Sequence, residues 1–207
     1  MKSLYIDTSS SFLYAGIIEE NSLLAECKKR FDHDLSKEAL PEIIELFQKA
    51  QIEPKEIDKI IVVNGPGSFT GIRIGITIAK VYAWSLNVPI TTISSLEAMA
   101  ISSKTQKLHV PMINARRGYV FAGCYNEKNQ EIIPRQHIKL KDLLEKLEKV
   151  GDYIIITNDE IEEVLSKEEY SPDILKIVNF YKDKERINPH AVNPEYLKLT
   201  EAEEKKN

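Results

Sequence analysis

At 207 residues, 43% of them hydrophobic, the chain is long enough to bury one large core or two small ones. Its formal net charge of -4, with acidic and basic residues interspersed, argues against a protein that grips nucleic acid or an anionic membrane by itself. No apolar run approaches the roughly 20 residues of a membrane span, and the N-terminus enters a strand without a basic and apolar leader, so a cytoplasmic chain is expected.

Residues 2–6, 12–19 and 23–31 read as strands, and the turns between them are short enough to imply an antiparallel meander. A helix over 36–50 puts Leu40, Ile43, Phe47 and Ala50 on one face, with Pro41 either kinking it or delaying its regular part to near Leu40. Residues 60–63 form a fourth strand, reached through a helix and therefore expected parallel to the first.

Gly65, Pro66, Gly67, Ser68, Phe69, Thr70 and Gly71 follow that strand and open a helix-compatible run to Leu86. Strand, glycine turn and helix N-terminus is the setting in which backbone amides can hold an anion. The phosphate motifs nevertheless fail. No lysine follows Gly71, and Thr70 stands where a dinucleotide fingerprint needs its third glycine. The pattern alone favours a structural turn over a phosphate cradle.

In the helix beyond, Arg73, Thr77, Lys80 and Trp84 make one narrow polar or amphipathic strip, and nearly every other position is apolar or small. Gly71, Gly75, Ala79 and Ala83 recur every four residues as a low ridge that lets another backbone approach closely. Two readings stay open: a helix clamped between its own sheet and a neighbouring lobe, or one whose outer side is a subunit interface.

A strand at 90–93, a short helix at 94–102 and a polar link at 102–105 complete the first part. Strands at 108–113, 119–125 and 131–138, a helix at 141–150 and a strand at 153–156 then repeat the opening order about 105 residues later. Two lobes are expected, 1–103 and a smaller 104–207, facing each other across a cleft. In the overlay Asp7, Thr8 and Ser9 correspond to the turn at Asn114, Ala115 and Arg116, where an amide replaces the carboxylate and cannot act as a general base. Residues 172–183 have helical spacing, and the charged residues 201–207 are expected as a frayed helix end.

Catalytic constellations are sparse. His33, His109, His137 and His190 are isolated from one another, which disfavours a zinc site. His33 with Asp32, Asp34, Ser36 and Glu38 reads better as a solvated helix entry than as an acid-base cluster. Ser68 lacks the flanking glycines of a hydrolase elbow, since Pro66 and Thr70 occupy those positions. Cys27 and Cys124 are spaced as lone reduced core thiols.

Asp7-Thr8, the run from Gly65 through Ile72, Arg73 and Ile74 to Gly75, Asn114-Ala115-Arg116 and Pro194-Glu195-Tyr196-Leu197 together resemble the TsaB family. The match is loose over residues 125–190 and departs at Asn114, where that family usually has aspartate. The resemblance implies an α/β, two-lobed actin-like ATPase fold related to ribonuclease H, with duplicated βββαβ units and mixed parallel and antiparallel sheets. It implies a non-catalytic scaffold for the tRNA-modifying subunit TsaD, whose metal-binding histidine pair is absent here, with the ATPase TsaE joining as a third member. Self-association when TsaD is absent, and tRNA contact only through the complex, belong to the same expectation. The interface would use the helices at Leu35–Ala50 and 70–86, with Leu40, Ile43, Phe47, Gly71, Ile72, Gly75, Ile76, Ala79 and Ala83 as its residues. No cofactor is implied, weak nucleotide binding at Asp7, Thr8, Gly65, Gly67 and Ser68 being a residual expectation. The competing class is a weak actin-like ATPase or a peptidase-like enzyme.

Overall fold

The computed structural model describes residues 1–31, 34–184 and 187–198. Strands β1 (Lys2–Asp7), β2 (Phe12–Glu19) and β3 (Ser22–Arg30) form the antiparallel meander expected from their short turns. Helix α1 (Leu35–Ala50) crosses to β4 (Lys59–Gly65), which lies parallel to β1. Helix α2 (Phe69–Leu86) then leads to β5 (Ile90–Ser94), parallel to β4, and to α3 (Ser95–Ser102). The resulting sheet order is β3-β2-β1-β4-β5.

The second half repeats the plan. Strands β6 (Leu108–Asn114), β7 (Tyr119–Tyr125) and β8 (Glu131–Lys139) form a meander, and α4 (Leu140–Leu147) crosses to β9 (Tyr153–Ile156), which runs parallel to β6. A two-residue strand β10 (Lys167–Glu168) occupies the place of β5, giving the order β10-β9-β6-β7-β8. The architecture has the duplicated βββαβ units and mixed parallel and antiparallel sheets that the resemblance implies. Helix α5 (Ile174–Phe180) closes the set. The acid-base cluster centred on Asp32 and His33 and the tail at 201–207 lie largely or wholly outside the described residues.

The chain divides into two compact units, but not at residue 103. The first holds Met1–Ala98 together with Pro172–Glu195, and the second holds Met99–Ser171 with the chain from Tyr196 onward. Long-range contacts explain the return of 172–195 to the first unit. α5 packs on β1, β2 and β3, with Ile174 filling the space that Gly16 leaves open. Lys59 on β4 donates to the carbonyl of Tyr181 at 2.7 Å, Ile187 bridges Ile90, and the Glu195 amide donates to the Asn64 carbonyl at 2.8 Å.

In the first unit, Ile43, Leu46 and Phe47 of α1 and Ile72, Ile76, Ala79 and Ala83 of α2 share one core with Leu4, Ile6, Ile60 and Val62 of the sheet. In the second, Leu140, Leu143 and Leu147 of α4 pack on Val110, Met112, Val120, Ala122 and Cys124. Alternation along each strand sends successive side chains to opposite faces, so these residues mark the sheet face that α1 and α2, or α4, cover.

Candidate functional site

The glycine segment leaves β4 through Gly65 at φ 122° and Gly67 at φ 151°, with a cis peptide between Gly65 and Pro66. Both glycines sit against backbone. A Cβ on Gly65 would stand 2.7 Å from the Glu195 carbonyl oxygen, and one on Gly67 would overlap the Ser9 carbonyl. Ser9 accepts from the Ser68 amide at 2.7 Å, and the Ser95 hydroxyl donates to the Pro66 carbonyl at 2.5 Å. The Ser68 side chain caps its own helix by accepting from the Gly71 amide at 3.2 Å.

The structure thus brings Asp7, Thr8, Gly65, Gly67 and Ser68 together at one end of the first sheet, and much of their hydrogen-bonding capacity is engaged within the chain. Asp7 is buried and accepts from the Ser9 amide at 2.8 Å and the Ser9 hydroxyl at 2.7 Å. The Thr8 hydroxyl donates to the Gly71 carbonyl at 2.7 Å. Burial, and then the Asp7 charge, push the Tyr14 hydroxyl up to about 12. These contacts account for the glycines as points of close packing between β1, α2 and the returning C-terminal segment. Among the described residues no group of three His, Cys, Asp or Glu side chains could hold a metal ion.

The interface residues named from the sequence fare differently. Ile43, Phe47, Gly71, Ile72, Gly75, Ile76, Ala79 and Ala83 are buried in the core of their own unit, so their side chains are not presented to a partner. The small-residue ridge faces inward: a Cβ on Gly71 would overlap the Thr8 carbonyl oxygen, and one on Gly75 the Thr8 hydroxyl. Only Leu40 of that set is exposed.

What the two helices present outward is a strip that the sequence showed in part through Arg73, Thr77 and Trp84, whereas Lys80 of the same reading donates to the Val192 carbonyl at 3.0 Å. On α1 it comprises Leu40 and Ile44; on α2 it runs through Phe69, Arg73, Thr77, Val81 and Trp84. Val81 is 59% and Trp84 70% exposed, unusual for large apolar side chains on a helix that is otherwise core. Arg73 lies 3.7 Å from the Phe69 ring centroid, and a groove of about 470 Å³ between the helices is lined by Ser36, Leu40, Phe69, Arg73 and Thr77.

In the second unit, Asn114 organises its turn. Its amide N–H donates to Asp159 at 2.7 Å and its side chain accepts from the Arg116 amide at 2.8 Å, tasks that need no general base. His109 is buried with Nε2 3.1 Å from the Thr105 carbonyl, and His137 is stacked on Tyr119. Cys27 and Cys124 are free and buried, and desolvation is the main cause that pushes both thiols up to about 11. No described helix is long and apolar enough to cross a membrane.

Residues 30–173 match the family model described as TsaD: tRNA N6-adenosine threonylcarbamoyltransferase. A Bacillus subtilis protein, tRNA threonylcarbamoyladenosine biosynthesis protein TsaB, is 35% identical over 99% of this chain and 97% of its own length. The protein of the same name from Buchnera aphidicola subsp. Schizaphis graminum is 33% identical over 72% of this chain and 77% of its own. Among solved structures, YeaZ from Pseudomonas aeruginosa superimposes with a TM-score of 0.77 at 20% identity, covering 95% of this chain and 99% of that one. A second structure from that organism, described as similar to peptidase YeaZ, gives 0.79 at 19% identity with the same coverage.

Proposed function

The chain belongs to the TsaB family, and on that premise we propose that it serves tRNA threonylcarbamoyladenosine formation as a non-catalytic scaffold that binds and supports a TsaD-like catalytic subunit. The observation that carries this is the outward side of α1 and α2, where Leu40, Ile44, Val81 and Trp84 leave apolar area in water and Leu40 lines a groove between the helices. A homologous helix pair on the partner would cover it. The same strip would pair two copies of this chain when the catalytic subunit is absent, and a TsaE-like ATPase would join the assembled pair. A scaffold also suits the glycine loop, several of whose polar groups are engaged in internal packing, leaving weak nucleotide binding a minor proposal.

Because Ala79 is fully buried, a bulky charge there would unfold the first unit before it tested any interface. The informative substitutions are Val81→Glu and Trp84→Glu. Each should leave chain stability within about 0.5 kcal/mol of the native value, as exposed sites do. Each should weaken co-purification with the TsaD-like subunit by about tenfold or more, because an exposed tryptophan is the residue type that anchors interfaces. Undiminished complex formation by both variants would refute the interface, and ATP turnover by the isolated chain would refute the non-catalytic role.

A further inference from the structure

Strand β7 is the centre of the three-strand meander in the second unit. Val120, Ala122 and Cys124 point into the core, so Tyr119 and Phe121 point to the opposite face. The register places Phe121 opposite His137 and Tyr119 opposite Lys139, and cross-strand partners share a face. The rings meet there. Tyr119 and His137 stack at 4.8 Å with planes 12° apart, and Phe121 lies 5.2 Å from His137 at a 45° tilt. All three are half-buried, and Ile113, paired with Phe121, extends the apolar surface.

The hairpin at one end of this face carries Arg116 at φ 66° and Arg117 at φ 54°, both exposed. Among the described residues neither guanidinium, nor the Lys139 ammonium, has a hydrogen bond or an ion pair. The basic groups at this end contrast with Arg135 further along β8, which is paired with Glu131 at 2.9 Å. Asp159, an acidic group at the turn, accepts from the Asn114 amide.

Half-buried aromatic rings at one end of a sheet face, bordered by cations with no ion pair among the described residues, match the chemistry of unpaired nucleobases. Bases stack on rings whatever their sequence, and the backbone phosphates alongside attract arginine and lysine. We propose that the Tyr119–Phe121–His137 face with Arg116, Arg117 and Lys139 is a docking site for single-stranded RNA, one base stacking on the rings while the adjoining phosphates lie against the cations. The site rests on the reading that the assembly acts on RNA. It goes beyond the expectation that tRNA meets this chain only through its partner. With three cations set in a chain of net charge -4, the interaction is weak and sensitive to salt.

The test is titration of the full chain at low salt with a fluorescently labelled, short unstructured RNA oligonucleotide, alongside the same sequence annealed as a duplex. The single strand should bind and the duplex should bind much more weakly. Tyr119→Leu with Phe121→Leu, which keeps apolar bulk and removes the π faces, should lower affinity about tenfold or more without changing the melting temperature appreciably. Tyr119→Phe should retain binding. Arg116→Gln with Arg117→Gln should flatten the salt dependence by about 0.7 in log-log slope per arginine. Three outcomes would overturn the site: no binding by the native chain, indifference to the leucine pair, or competition by inorganic polyphosphate as strong as that by RNA. Co-purification with the TsaD-like subunit is read separately, so an intact complex with an inert aromatic face would sink this inference alone.

Discussion

Thr8 is the residue on which the close approach of α2 to the first sheet turns. Its hydroxyl donates to Gly71, its carbonyl lies where a Gly71 Cβ would be, and its hydroxyl lies where a Gly75 Cβ would be. The two glycines should therefore respond differently to the same second change. Gly71→Ala meets backbone and should cost about 2–3 kcal/mol whatever occupies position 8. Gly75→Ala meets a side-chain oxygen, so Thr8→Ala, which by itself costs about 1 kcal/mol for the lost hydrogen bond, should recover part of that penalty. A double-mutant cycle by urea unfolding would show favourable coupling of about 1 kcal/mol for positions 8 and 75 and near none for 8 and 71. The buried thiols give a second residue-scale expectation. Their folded pKa values near 11 lie above the ordinary value of 9.0, so the stability they contribute is complete below pH 9 and is lost as pH rises toward 11. Replacing Cys27 and Cys124 with Ala should flatten the fall in unfolding free energy between pH 9 and 11. An unchanged slope would show that burial does not set these thiols.

At the scale of elements, the strands were legible because apolar runs and short turns leave few other pairings, and the repeat of their order exposed the duplication. The faces of α1 and α2 were harder to read. α1 carries apolar side chains at 39, 40, 43, 44, 46 and 47, a stripe wider than its contact with the core, and periodicity does not say which edge faces inward. The core took Ala39, Ile43, Leu46 and Phe47 and left Leu40 and Ile44 outside. On α2 the small residues looked suited to a partner, yet the nearest backbone was that of the chain's own β1 end. β10 is two charged residues with no pattern to announce it, and the aromatic face of β7 and β8 was hidden because its rings come from separate strands. The allegiance of α5 also escaped the sequence, since it depends on Lys59, more than a hundred residues away. The Lys59 ammonium is buried and donates to the carbonyls of Tyr181 at 2.7 Å and Lys182 at 3.3 Å, where the helix leaves C=O groups unsatisfied. Lys59→Met keeps the apolar stem and removes the donor. It should cost about 2 kcal/mol and lower amide-exchange protection in α5 well before that of β6, β7 or β9. Equal loss in both units would argue that Lys59 is not the anchor.

At the scale of the molecule, the chain completes its first unit only after it has built its second. It leaves at Ala98 and comes back at Pro172, so α5, the bridge of Ile187 to Ile90 and the Glu195–Asn64 bond close a sheet laid down by the first hundred residues. Truncation after Ser171 should therefore injure the part most distant in sequence from the cut. The face of β1 and β2 beneath Ile174 would be uncovered, and Lys59 would lose the Tyr181 and Lys182 carbonyls. Both changes are costly, the first through lost apolar burial and the second through two lost charge-assisted hydrogen bonds. Hydrogen exchange on the truncated chain should show β1, β4 and β5 losing protection while β6, β7, β9 and α4 keep theirs. Because α1 and α2 rest on the weakened sheet, the truncated chain should also lose co-purification with the TsaD-like subunit although its interface residues are all present. Truncation after Leu197 supplies the control, since it retains every contact named here. If the shorter chain instead kept its first sheet protected and its partner bound, residues 172–195 would be a passive appendage rather than the closing piece of the unit that carries the interface.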